Sequence, residues 1–184
     1  MHPGQTGVPK PFFGLLYDSS GAGYDRLLVC RSRDASQPVA ALAVGQWTEW
    51  WKDGFEVDGQ VLEGYLRMKL VSLSPEGDVF ELFVPQIWPA TGYTQPEDVA
   101  REIDEKVGNF LQNPGRDALG TVDDATYFEL LDFHHQRLAD VAQYLTQSRA
   151  WDMLFIETHA SDYTSHFFLS QADECSGADE HTLA

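Results

Sequence analysis

Leu62-Glu63-Gly64-Tyr65-Leu66-Arg67-Met68-Lys69-Leu70-Val71-Ser72-Leu73-Ser74-Pro75-Glu76-Gly77-Asp78-Val79-Phe80-Glu81-Leu82-Phe83-Val84 decides the class of this fold. From Leu62 to Leu73 polar and apolar residues roughly alternate, which places Leu66, Met68 and Leu70 on one face of an extended strand. Pro75-Glu76-Gly77-Asp78 supplies turn chemistry, and Val79 to Val84 runs back. The pattern predicts an antiparallel hairpin inside a β-rich lobe that covers residues 12–95.

Upstream, Phe12 to Tyr17 and Arg26 to Cys30 are short apolar runs separated by the glycine-rich Ser19-Ser20-Gly21-Ala22-Gly23, and Val39 to Val44 follows a proline. Downstream the period changes. Thr94-Gln95-Pro96-Glu97 carries a capping-box pattern with proline in the first turn, followed by the stripe Val99, Ile103, Val107, Phe110 and Leu111. Asn113-Pro114-Gly115 is expected to end that helix. A second helix is expected from Asp123-Asp124, with Tyr127, Leu131, His134, Leu138, Val141, Ala142 and Leu145 on its apolar stripe. Trp151 to Ile156 then reads as a strand buried on both faces, and Tyr163 to Leu169 as a short helix. The expected fold is α+β: an antiparallel β-rich lobe followed by two long helices and one buried strand. Residues 1–11 and 171–184 read as a flexible N-terminus and a disordered tail.

With 184 residues, 43% of them hydrophobic and 12% aromatic, the chain is long enough for one well-filled core. A net charge of −17, concentrated between Glu97 and Asp132, repels phosphate backbones and anionic lipid, so neither a nucleic-acid polymer nor a membrane surface is an expected partner. Cys30 and Cys175 form no CxxC pair, which argues against a disulfide scaffold or a structural zinc knot. No signal-peptide core and no run of spanning length is present, so the expected location is cytoplasmic.

Few residues carry chemistry. Asp162 and His166 stand four apart, so a helix from Tyr163 to Leu169 brings carboxylate and imidazole to one face, where they suit zinc, manganese or iron. The bland alternative is a capped, half-exposed turn. His134 falls in an apolar stripe and reads as a core histidine. It diverges from His135 by about 100° and cannot easily share a metal with it. His159 reads as a bystander that could join Asp162 and His166. Trp47-Thr48-Glu49-Trp50-Trp51 reads as a hydrophobic plug beneath a strand bend rather than a stacking platform, because no basic cluster accompanies it in sequence. There is no P-loop, GxSxG elbow or GxGxxG, and no catalytic or cofactor-binding residue is singled out.

Val44-Gly45-Gln46-Trp47-Thr48-Glu49-Trp50, the strand into Leu70-Val71-Ser72-Leu73-Ser74-Pro75-Glu76-Gly77, and Phe80-Glu81-Leu82-Phe83-Val84 together resemble the insertion region of type I phosphodiesterase/nucleotide pyrophosphatase-like proteins of the alkaline phosphatase superfamily. Trp151-Asp152-Met153-Leu154-Phe155 followed by Asp162-Tyr163-Thr164-Ser165-His166 is similar to that family's strand and D-x-x-x-H motif. The resemblance covers residues 12–170. It implies a hydrolase acting on a phosphate ester through a two-metal site, usually zinc, with Asp162 and His166 as two ligands of one metal. It maps no nucleophile and no other ligand onto this sequence. The resemblance therefore implies an internal fragment, the insertion lobe plus part of the core, that is inactive alone. Two rivals stand beside it: a non-catalytic interaction or dimerisation module, and a small self-sufficient metalloenzyme using Asp162, His166 and His159. The apolar run at Trp151 to Ile156, short of covering helices, predicts that the isolated chain self-associates.

Overall fold

The computed structural model describes residues 8–110 and 122–172. The chain divides into two units, Met1–Phe110 and Leu111–Ala184. The class is α+β, with antiparallel sheets in the first unit and a long helix in the second.

In the N-terminal unit, β1 (Phe13–Tyr17), β2 (Arg26–Cys30) and β3 (Ala40–Ala43) form an antiparallel meander in that order. β4 (Trp51–Val57) and β5 (Gln60–Leu66) are joined by the two-residue turn Asp58-Gly59, whose φ values of 51° and 75° match the right-handed twist of a hairpin. β6 (Lys69–Leu73) and β7 (Phe80–Phe83) form the hairpin expected around Pro75–Asp78, and the two-residue β8 (Trp88–Pro89) pairs with β5. The 74–79 turn is locked by its own polar groups. Ser74 Oγ donates to Asp78 Oδ1 at 2.6 Å and accepts from the Val79 N–H at 3.1 Å. Gly77 has φ 75°, and a Cβ there would fall 2.7 Å from the Tyr24 ring, so the turn admits only glycine.

The run read as one strand from Leu62 to Leu73 is two strands, broken at Arg67-Met68. Burial is continuous through the break: Leu66, Met68 and Leu70 enter the core, and Arg67 and Lys69 between them are buried as well, even though β5 pairs with β4 and β6 with β7. The 45–48 segment pairs with 68–70 through Gly45 N–H to Leu70 O (2.7 Å) and Thr48 N–H to Met68 O (2.8 Å). That pairing brings Leu27, Val29 and Leu42 into one core with the three alternating residues. Burying each such side chain stabilises the fold by about 1.5–3 kcal/mol. Val8 and Lys10, read with the N-terminal tail, are tied to β4: the Val8 N–H donates to Glu56 O at 2.9 Å, and Lys10 Nζ to Gly54 O at 2.9 Å.

α1 (Asp98–Lys106) is shorter than the stripe to Leu111 implied. The N–H groups of Val107 and Gly108 both reach Ile103 O, at 2.8 and 2.9 Å, and Gly108 with φ 100° ends the helix in the left-handed conformation. The expected stop at Asn113-Pro114-Gly115 lies outside the described residues. The capping box does not form. Thr94 Oγ1 instead accepts from the Ala100 N–H at 2.9 Å, and Glu97 at the N-cap makes no side-chain cap.

In the C-terminal unit, α2 (Asp124–Ser148) starts where expected: Asp123 Oδ1 accepts from the Thr126 N–H at 2.9 Å and Oδ2 from the Thr126 hydroxyl at 2.7 Å. α3 (Ala160–Ala172) lies against its first turns, with the Phe168 ring tilted against that of Phe128 at 4.9 Å between centroids. The expected buried strand is absent. Residues 151–159 form neither helix nor strand and are exposed, Phe155 at 87% and Met153 at 69%. A short apolar run reports hydrophobicity and not whether a neighbour exists to cover it. No strand lies among this unit's described residues, so the run has no sheet to enter. The tail read as disordered falls, from residue 173, outside the described residues. Among the described residues no helix is long and apolar enough to cross a membrane.

Candidate functional site

α3 brings Asp162 and His166 together, as their spacing predicts. Asp162 Oδ1 lies 3.2 Å from His166 Nε2 across one helical turn, with both side chains more than half exposed. Two ligand atoms held at zinc's usual distances in a tetrahedral shell sit about 3.3 Å apart, so this pair has the separation of two corners of such a site. The backbone that presents it is fixed from the first turn, where the Tyr163 N–H donates to His159 O at 2.8 Å.

His159 does not join them. Its Nε2 lies 3.1 Å from Glu157 Oε1, and its ring lies 5.7 Å from that of Tyr163. It lies seven positions before His166, a helical rise of about 10.5 Å. Among the described residues no group of three or more His, Cys, Asp or Glu side chains is arranged to hold a metal. His134 is buried on α2, as the apolar stripe implied. His135 was not singled out by sequence, yet its Nε2 reaches Thr158 Oγ1 at 2.6 Å. Residues 135 and 158 belong to no common motif, so only the fold reveals the contact. Thr158 and Trp151, whose Nε1 donates to Thr146 O at 3.1 Å, fasten the exposed 151–158 segment at both ends.

The N-terminal unit holds a polar constellation that sequence reasoning missed. Lys52 on β4 donates to Asp104 Oδ2 at 2.7 Å, and the Tyr65 hydroxyl on β5 donates to Asp104 Oδ1 at 2.5 Å. The hydrogen bond to Asp104 holds the Lys52 ammonium above its ordinary pKa, and burial followed by the same carboxylate raises Tyr65. Burial also pushes Tyr93, close to this carboxylate, up to about 12. Both bonds run from the sheet to a helix residue, so the cluster braces α1 against β4 and β5.

Trp47 and Trp50 pack as the expected plug, but basic residues do accompany them in space. The Arg67 guanidinium lies 3.6 Å from the centroid of the Trp47 ring and 5.0 Å from that of Trp50, and Lys69 Nζ lies 5.7 Å from Trp47. Arg67 and Lys69 are only 9% and 5% exposed. Both cations are buried against indole.

Comparison of this chain with protein-family models, with curated proteins and with solved structures finds no match.

Proposed function

We propose that this chain is part of a metal-dependent phosphodiesterase or nucleotide pyrophosphatase-like hydrolase, in which Asp162 and His166 are two ligands of one zinc ion. The observation that carries the proposal is the 3.2 Å approach of Asp162 Oδ1 to His166 Nε2 on an exposed helical face. The pair is open to further ligands and supplies half of a four-coordinate shell. In the complete two-metal site the ions would clamp a phosphoryl group and stabilise the attacking and leaving oxygens. The chain by itself offers no mapped nucleophile and is inactive. The phosphate-ester substrate and the cytoplasmic location belong to the same proposal. Calorimetric titration with zinc and manganese tests it, alongside turnover of a chromogenic phosphodiester. Weak binding lost in both Asp162→Ala and His166→Ala, without turnover above a protein-free metal control, is the expected result. Binding indifferent to both substitutions sinks the ligand assignment. Turnover abolished by either one promotes the small metalloenzyme instead.

A second reading, an assembly module, is favoured by a different observation. Trp151, Met153, Phe155 and Ile156 are each more than half exposed along one short segment. Apolar surface left in water costs about 25 cal/mol per Å², which a second chain would remove.

A further inference from the structure

We propose, building on the assembly-module reading, that the 149–157 segment pairs antiparallel with the same segment of a second copy, in a register centred on Met153. Reflected about that residue the sequence is self-complementary. Arg149 falls opposite Glu157 of the other copy, Trp151 opposite Phe155, and Met153 opposite itself. Residues directly opposite in an antiparallel pair share a face, so each half of the dimer contributes an aromatic pair and an opposite-charge pair to one surface. Neighbouring registers lose this. Centring on Asp152 sets two carboxylates face to face, and centring between Leu154 and Phe155 sets Asp152 against Glu157.

The structure adds two supports. The segment is open along its whole length, with Trp151 at 54%, Met153 at 69% and Phe155 at 87% exposure on the odd-numbered side and Leu154 at 37% and Ile156 at 53% on the other. The segment is also held at both ends, by Trp151 Nε1 on Thr146 O and by Thr158 on His135, which lowers the entropy lost on pairing. Two copies of the exposed apolar side chains offer on the order of 1,000 Å² between them, close to the lower bound of a specific interface. The chain bends at Asp152, and that bend opens when the strands pair.

Sedimentation equilibrium over a dilution series reads the association, with circular dichroism confirming that each variant folds. The wild-type chain is expected to be a concentration-dependent dimer, and Phe155→Asp a monomer. Arg149→Glu and Glu157→Arg are each expected to weaken the dimer by about tenfold, because each replaces two attractive cross-strand pairs by two repulsive ones. The double substitution is expected to restore it. Met153→Cys in a Cys175→Ser background is expected to cross-link through position 153 under mild oxidation. A monomer at every concentration overturns both the pairing and the assembly reading. A dimer untouched by Phe155→Asp keeps the assembly reading and overturns the strand. Failure of the double swap to restore association, or absence of the cross-link in a chain that dimerises, overturns the register.

Discussion

Asp104 on α1 accepts from Lys52 on β4 at 2.7 Å, joining a helix to a sheet whose residues lie 52 positions away in sequence. Its second oxygen is taken by the Tyr65 hydroxyl. Removing the carboxylate leaves a half-buried ammonium and a phenol without their acceptor. Asp104→Ala is expected to lower stability by about 2 kcal/mol, with hydrogen exchange accelerated most in α1. Urea denaturation checks the first effect. Exchange on α1 amides no faster than in the wild type would show that the helix is held by Ala100 and Ile103 alone.

Alkaline titration reads the same cluster. Tyr65, Tyr93 and Tyr127 are all raised chiefly by burial, Tyr93 to about 12, and Lys52 is raised by its bond to Asp104. Groups raised on folding add stability that is complete below their unfolded pKa, about 10 for tyrosine, and is lost as pH rises through the folded value. The chain is expected to lose stability steadily above that point. Absorbance of tyrosinate should rise in two phases, with the later one coinciding with unfolding. A single phase at the free-tyrosine value would contradict the burial of all three rings.

Acid acts on a different residue. Burial alone would raise the Asp53 carboxyl, but hydrogen bonds from Lys10 and Arg31, each at 2.6 Å, and from the Gly54 N–H outweigh it and hold it below its ordinary value. A carboxylate depressed on folding stabilises above its unfolded pKa, about 3.9, and that contribution disappears as pH falls through the folded value. Asp53→Asn is expected to be less stable than the wild type at neutral pH and equal to it in strong acid. Parallel melting curves that never converge would assign the loss to packing.

Tyr127 is 1% exposed, and its hydroxyl finds no hydrogen-bond partner among the described residues. Tyr127→Phe removes that oxygen while keeping the ring against Phe128 and Phe168. A gain of about 1 kcal/mol in denaturant stability is expected. Leu70→Ala, at a fully buried position, is expected to cost about 3 kcal/mol.

Much of the local chemistry was legible in the sequence, although the Thr94–Glu97 capping box did not form. The Pro75–Asp78 turn, the Asp123 cap and the approach of Asp162 to His166 each depend on residues a few positions apart, and each is present. β4 was hidden because Asp53-Gly54 in its middle are residues depleted in strands, although Asp58-Gly59 at its end is a strong hairpin signal. The break at Arg67-Met68 does not interrupt the apolar positions Leu66, Met68 and Leu70, so the sequence pattern cannot reveal it, nor that Arg67 and Lys69 between them are buried as well. The brace at Asp104 joins residues 52, 65 and 104, a convergence that no spacing encodes. The 151–156 run shows the opposite failure: its apolar character and its shortage of covering helices were legible, but the buried strand expected there is exposed chain that is neither helix nor strand.

The buried run from Leu66 to Leu70 has a mechanical side. One stretch of chain is a member of the β4–β5 sheet before the corner and of the β6–β7 sheet after it, with its inward side chains in a single core. Peeling either sheet away pulls on the residues that seat the other. The amides on both sides of the corner should therefore exchange by one shared opening, so that the two sheets melt as a single cooperative block.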